Sequence, residues 1–315
     1  MNRGIFLILA LAIAAIGNAT EAAWTDLSKH EIRLIDHGGV KLECLDWGGQ
    51  GDAILFLAGL GNSGHAYDHF AIGFLEHFRV VALTRRGAGK SDKPEQGYDI
   101  DTLVEDIRCC LDALAIRRVI LVGHSFGALE AAKFAQAYPA RVIKVVYLDG
   151  AYRPSPEKRA LMDQVRALMP SPSQAEASTE AGQLDWLRKY VSGWNEASEV
   201  DFHNMQVPIP PTVFPALMRT AAETPPGFDQ VTAPSLAIFA DDQFEHIKTF
   251  LSGPNKVAGG QTLNELGAFH HRAAEWFRSK VRNGHAVELA DTGHNCFDQR
   301  EAEVRQLLVD FLRAQ

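Results

Sequence analysis

Gly123-His124-Ser125-Phe126-Gly127 is the stretch of this chain best suited to covalent chemistry. It follows the apolar run Val119-Ile120-Leu121-Val122 and leads into an alanine-rich helical pattern, which sets the serine at the apex of a strand–turn–helix. So sharp a turn strains the serine backbone and demands small residues two places before and two after it, here Gly123 and Gly127. The hydroxyl is lifted clear of the sheet, and the free N–H groups at the helix start face the same point. A serine becomes a nucleophile when a base takes its proton and a third group orients that base. The candidate base is His294, in Asp291-Thr292-Gly293-His294-Asn295, between the last strand pattern and the final helix pattern. His124 should point away from the reaction, because neighbouring side chains in a tight turn diverge. His65, His69, His77, His203, His270, His271 and His285 fall in loops or on polar helix faces and read as solvated or structural. His65 and His69 lack the glutamate of a zinc-protease helix, so no metal is expected.

Acyl transfer also needs donors for the developing oxyanion. Phe126 supplies one N–H by following the serine. The second is expected from Ala58-Gly59-Leu60-Gly61-Asn62, with the Leu60 N–H preferred and Gly61 next, since glycines there let backbone approach a ligand closely.

These residues need elements to hold them. Val40–Trp47 alternates like a half-exposed strand, whereas Ala53–Leu57 and Val80–Leu83 are continuous apolar runs, as in central parallel strands covered on both faces. Asp101–Leu114 carries one helical stripe of Leu103, Val104, Ile107, Leu111 and Leu114. Strands follow at Val119–Val122, Ile143–Leu148, Ser235–Phe239 and Ala286–Leu289, and the helix Glu301–Ala314 closes the chain. The alternation is that of an α/β fold. Between Tyr152 and Ala233 it stops: helical patterns and prolines occur without a strand, while Trp186, Trp194, Phe202, Phe214 and Met218 supply apolar bulk. This segment reads as a helical cap over the mouth of the site.

The chain has 315 residues and a net charge of −8, which argues against nucleic acid or an anionic membrane surface as partner. Met1-Asn2-Arg3, the apolar run Ile5–Ile16 and the small-x-small sites Gly17-Asn18-Ala19 and Thr20-Glu21-Ala22 form a secretory leader pattern. The apolar run is too short to span a bilayer, for which about 20 residues are needed. The expected organisation is a leader over 1–22, a core over 23–151 and 234–315, and a cap over 152–233, in a secreted or periplasmic protein without stable membrane insertion. Cys44, Cys109, Cys110 and Cys296 fit no metal spacing and read mostly as small buried apolar residues. An oxidising destination permits a disulfide, though adjacent Cys109 and Cys110 cannot easily pair with each other.

Taken together, the chain resembles a capped serine hydrolase of the α/β-hydrolase fold, an esterase- and lipase-like superfamily. The resemblance rests on Leu57-Ala58-Gly59-Leu60-Gly61, Arg85-Arg86-Gly87-Ala88-Gly89-Lys90-Ser91, Gly123 to Gly127, and Thr292-Gly293-His294, and runs from about Leu42 to Leu312. It implies a mostly parallel sheet flanked by helices, the order serine, acid, histidine, and no cofactor. Members usually carry the acid a few residues past the strand read here as Ser235–Phe239, but that place holds the uncharged Gln243, with Asp241 and Asp242 slightly early. A minority place it one strand earlier, where Val146-Tyr147-Leu148-Asp149-Gly150 sets Asp149 at a strand tip. Asp149 is therefore preferred as the acid, with Asp242 and then Asp241 as alternatives.

The expected function is cleavage of a small or medium apolar ester or related acyl substrate through an acyl-enzyme. An aspartate in place of Ser125 would have implied a dehalogenase or epoxide hydrolase. The departure at Gln243 motivates one alternative, a ligand-binding protein or receptor on a hydrolase scaffold with negligible turnover.

Overall fold

A computed structural model describes residues 29–168, 170–191, 194–205, 209–240 and 254–314. The proposed leader, and Asp241, Asp242 and Gln243, lie outside the described residues. An eight-stranded sheet runs in the order β1-β2-β4-β3-β5-β6-β7-β8. Its strands are β1 (Glu31–His37), β2 (Val40–Gly48), β3 (Ala53–Leu57), β4 (Arg79–Leu83), β5 (Val119–His124), β6 (Val142–Leu148), β7 (Ser235–Ala240) and β8 (Gly284–Leu289). The β1–β2 and β2–β4 pairs are antiparallel and the remaining pairs parallel.

The continuous apolar runs arise because helices cover both faces. In β3, Leu55 and Leu57 enter one core cluster, while Ile54 and Phe56 enter the other. The first cluster is closed by α2 (Ile100–Ala113), α3 (Phe126–Ala137) and α9 (Pro254–Lys280), through side chains such as Ile107, Ala131 and Phe277. The second is closed by α1 (Asp68–Ile72) and α11 (Glu301–Arg313), which contribute Phe70, Val304, Leu308 and Leu312. Each fully buried side chain of this kind stabilises the fold by roughly 1.5–3 kcal/mol relative to exposure. At the start of α2, Asp99 accepts from the Thr102 N–H at 2.9 Å and fixes where the helix begins.

Sequence patterning did not anticipate β1. Its Ile32 and Leu34 are exposed and only Ile35 is buried, so this edge strand shows no apolar face. Between β6 and β7 the described residues hold α4 (Pro156–Leu168), α5 (Gln174–Ala177), α6 (Glu180–Tyr190), α7 (Glu196–Met205) and α8 (Val213–Glu223), and no strand. Trp186 and Phe202 form a small cluster of their own with Leu184 and Leu187. No helix among the described residues is long and apolar enough to cross a membrane.

Candidate active site

Ser125 sits between β5 and α3 with φ 52° and ψ −113°, a conformation that costs a non-glycine residue about 1–3 kcal/mol. Packing around the turn enforces it. A Cβ on Gly123 would come within 2.3 Å of the Gly127 carbonyl oxygen, and one on Gly127 within 2.1 Å of the Leu57 oxygen. The Ser125 N–H donates to the Leu148 carbonyl at 3.1 Å, tying the turn to β6.

The β5–β6 register pairs His124 with Leu148, so Ser125 and Asp149 stand at adjacent strand tips. Asp149 also has a left-handed backbone, φ 43°. Its buried carboxylate is satisfied on both oxygens: Oδ1 accepts from the Tyr152 hydroxyl at 2.5 Å and the Ala240 N–H at 2.9 Å, and Oδ2 lies 2.6 Å from His294 Nδ1. Burial by itself would raise its pKa, but the hydrogen bond and charge of His294 prevail and hold it at about 2. An ionised carboxylate only accepts, so Nδ1 of His294 donates the proton of this hydrogen bond. The His294 side chain is 44% exposed, so its free edge is reachable.

Phe126 opens α3, where its N–H has no carbonyl one turn earlier to bond. Leu60 packs against the cluster that contains Phe126, which brings the loop after β3 beside the elbow. Arg85 organises this loop. Its guanidinium donates to the Ala58 carbonyl at 2.6 Å and the Gly59 carbonyl at 3.3 Å, and grips Glu130 of α3 with two bonds of 2.6 Å. It also lies 4.5 Å over the Phe126 ring. Arg85 thus fixes the orientation of the Ala58 and Gly59 peptide units against α3. The sequence flagged Arg85 only within a matching turn; its partner Glu130 carried no signal, because one buried glutamate on an alanine-rich helix resembles any surface position.

His124 is buried and packs against the His294 ring, with centroids 4.5 Å apart, rather than pointing away from the reaction. Its Nε2 donates to the His294 carbonyl at 3.0 Å, and a Cβ on Gly59 would come within 2.9 Å of its Nδ1. Burial, then the charge of His294, push its pKa down to about 3, so the ring is neutral. It spans the loop after β3 and the loop bearing His294.

The helical insertion is fastened at the same place. Asp201 of α7 accepts from Asn62 Nδ2 at 2.6 Å, Ser63 Oγ at 2.5 Å and the Ser63 N–H at 3.0 Å. Nearby, Asp298 of α10 (Cys296–Gln299) is pushed up to about 8 by burial and by the charges of Asp201 and Glu301.

Two histidines read as loop or polar-face residues, His65 and His270, are buried at 0% and 2% exposure. His270 packs on Tyr152, and burial lowers its pKa to about 4. Cys44, Cys110 and Cys296 are buried, Cys109 is partly buried, and all four thiols are free.

The model of the alpha/beta hydrolase fold family matches residues 52–295. Among curated relatives, a non-heme chloroperoxidase of Streptomyces lividans is 39% identical over 34% of this chain and 40% of its own. A 2-(acetamidomethylene)succinate hydrolase of Mesorhizobium japonicum is 29% identical over 65% of this chain and 76% of its own. The mouse epoxide hydrolase 4 is 31% identical, with the match spanning 39% of this chain and 35% of that protein. Among solved structures, an E-2-(acetamidomethylene)succinate hydrolase superposes with a TM-score of 0.64 at 22% identity, over 90% of this chain and all of the other. An inhibitor-bound Bacillus megaterium epoxide hydrolase gives 0.67 at 21%, again over 90% and 100%. With the matching model spanning most of the chain and the sheet order described above, the protein belongs to the α/β-hydrolase fold family.

Proposed function

We propose that this protein is an exported serine hydrolase that cleaves a small or medium apolar ester or related acyl substrate. The observation that carries the reading is the 2.6 Å contact of His294 Nδ1 with buried, ionised Asp149, beside the strained Ser125 turn. Each residue then has a role. His294 Nε2 takes the Ser125 hydroxyl proton as the oxygen attacks the acyl carbon. Asp149 fixes the tautomer and stabilises the imidazolium. The N–H groups of Phe126 and Leu60 receive the oxyanion, in a loop held by Arg85. The leaving group departs with the proton from His294, and water, activated by the same imidazole, releases the acid. Helices α4 to α8 form the cap, and export rests on the leader pattern over residues 1–22.

Relatives named as epoxide hydrolases do not redirect this reading, because an elbow serine forms an acyl-enzyme and this family's epoxide chemistry is expected from an aspartate there. The relative named for a succinate derivative supports hydrolysis of a small acyl compound. A fluorophosphonate probe tests the reading: one adduct on Ser125, absent in Ser125→Ala, is expected. Well-folded protein that takes no label would overturn it in favour of ligand binding without turnover. N-terminal sequencing of exported protein tests the leader, and an intact Met1 would refute cleavage.

A further inference from the structure

On the other side of the oxyanion loop, the fold gathers a second set of reactive side chains. His65 and Asp68 lie three residues apart, where a short 3-10 turn over Gly64–Tyr67 runs into α1. His30, just ahead of β1, is brought against them from far away in the sequence. Nδ1 of His65 is 2.9 Å from Asp68 Oδ2, and Nδ1 of His30 is 3.3 Å from Asp68 Oδ1. The three side chains are nearly sealed, at 3% exposure for His30, 0% for His65 and 2% for Asp68. One donor atom from each lies within 4.8 Å of the other two.

We propose that His30, His65 and Asp68 form a binding site for a divalent transition-metal ion of the zinc class. Two imidazole nitrogens and a carboxylate are the donor set that such borderline ions take at about 2.0–2.2 Å, with water able to fill a fourth position. Calcium and magnesium, which want oxygen ligands throughout, do not suit it. Glu43 adds an independent observation. Its fully buried carboxylate lies 3.7 Å from Nε2 of His65, the ring nitrogen not facing Asp68. A carboxylate behind an imidazole is how metal-ligating histidines are oriented. At 3.7 Å Glu43 is beyond a direct hydrogen bond, but its charge favours the proton on Nε2 and so leaves Nδ1 as the ligating nitrogen. On its outer side His30 borders an open cleft of about 550 Å³ together with Asp46, Trp47 and Arg79.

The ion would clip the start of β1 to the turn that Ser63 caps, and Ser63 is also a donor to Asp201 of the cap. The site therefore acts as a structural clamp beside the oxyanion loop.

The test uses tag-free full-length protein, stripped with a chelator and then given zinc chloride. One zinc per chain is expected by elemental analysis after gel filtration, with a rise in Tm on loading. Cobalt should give the visible bands of a low-coordinate nitrogen–oxygen site. His30→Ala should abolish stoichiometric uptake and the Tm rise while circular dichroism stays native; His30→Asn serves if the alanine variant is unstable. Glu43→Gln should weaken affinity by about 10–100-fold. Substitution of the exposed His77 or His285 should change nothing. Folded, stripped protein that takes up no stoichiometric zinc overturns the proposal, as does uptake undiminished in folded His30→Ala or His30→Asn; the cluster is then a histidine–carboxylate ion pair alone.

Discussion

Asp149 and His294 are 145 residues apart in sequence and 2.6 Å apart in space. The contact exists because the left-handed backbone at Asp149, φ 43°, turns its side chain from the end of β6 toward the loop that follows β8. Between them runs β7, whose Ala240 N–H donates to the other oxygen of the same carboxylate.

Replacing Asp149 by asparagine keeps the shape but removes the charge that fixes the His294 tautomer. Turnover of a chromogenic ester should fall by about 10⁴-fold, the loss seen when a serine-protease aspartate is so replaced. Near-wild-type kcat in Asp149→Asn would move the acid to Asp242 or Asp241.

Arg85 and Glu130 form a buried ion pair, and removing one partner strands the other. Arg85→Met should destabilise by about 3–5 kcal/mol in chemical denaturation. The double variant Arg85→Met/Glu130→Met should regain much of that stability, yet keep a reduced kcat, because the Ala58 and Gly59 carbonyls have lost their anchor. Wild-type kcat in the double variant would show that Arg85 does not position the oxyanion loop.

The buried neutral histidines set an acid limit on stability. His124, held at about 3, and His270, at about 4, remain unprotonated in the folded chain while their unfolded counterparts titrate near 6.5. Their contribution is complete above about pH 6.5 and is lost as pH falls toward those folded values, because the unfolded state then binds more protons. Each group should add a slope of up to about 1.4 kcal/mol per pH unit within its window. The unfolding free energy of His124→Gln should fall less steeply than wild type between pH 6 and pH 4, taken as round values inside that window. Parallel curves would refute the assignment.

Asp201 fastens α7 to Asn62 and Ser63. Asp201→Ala leaves those buried donors unsatisfied, at a cost of about 1–3 kcal/mol. Faster protease cleavage within residues 152–233 and a higher KM should follow. A variant with an unchanged digestion pattern would show that α7 is held by its apolar contacts alone.

The sequence by itself determined the sheet's central strands, the elbow and the strandless segment, because each is encoded locally. Ala53–Leu57 and Val119–Val122 are apolar on both faces since helices cover both, and Gly123 is required by contacts inside the elbow itself, although Gly127 is required by the Leu57 backbone at the end of β3. Asp149 was legible as a strand-end carboxylate, but its rank over Asp241 and Asp242 came from resemblance. Only the tertiary structure decided which side chains meet across the sheet. The Arg85–Glu130 grip, the His124 bridge, the Asp201 anchor and the gathering of His30, Glu43, His65 and Asp68 all join residues from different elements. Their partners are chosen by strand order and crossover geometry, and no local periodicity records those. Burial then reverses what residue type suggests: His65, His270 and Glu130 are polar by composition and interior by topology.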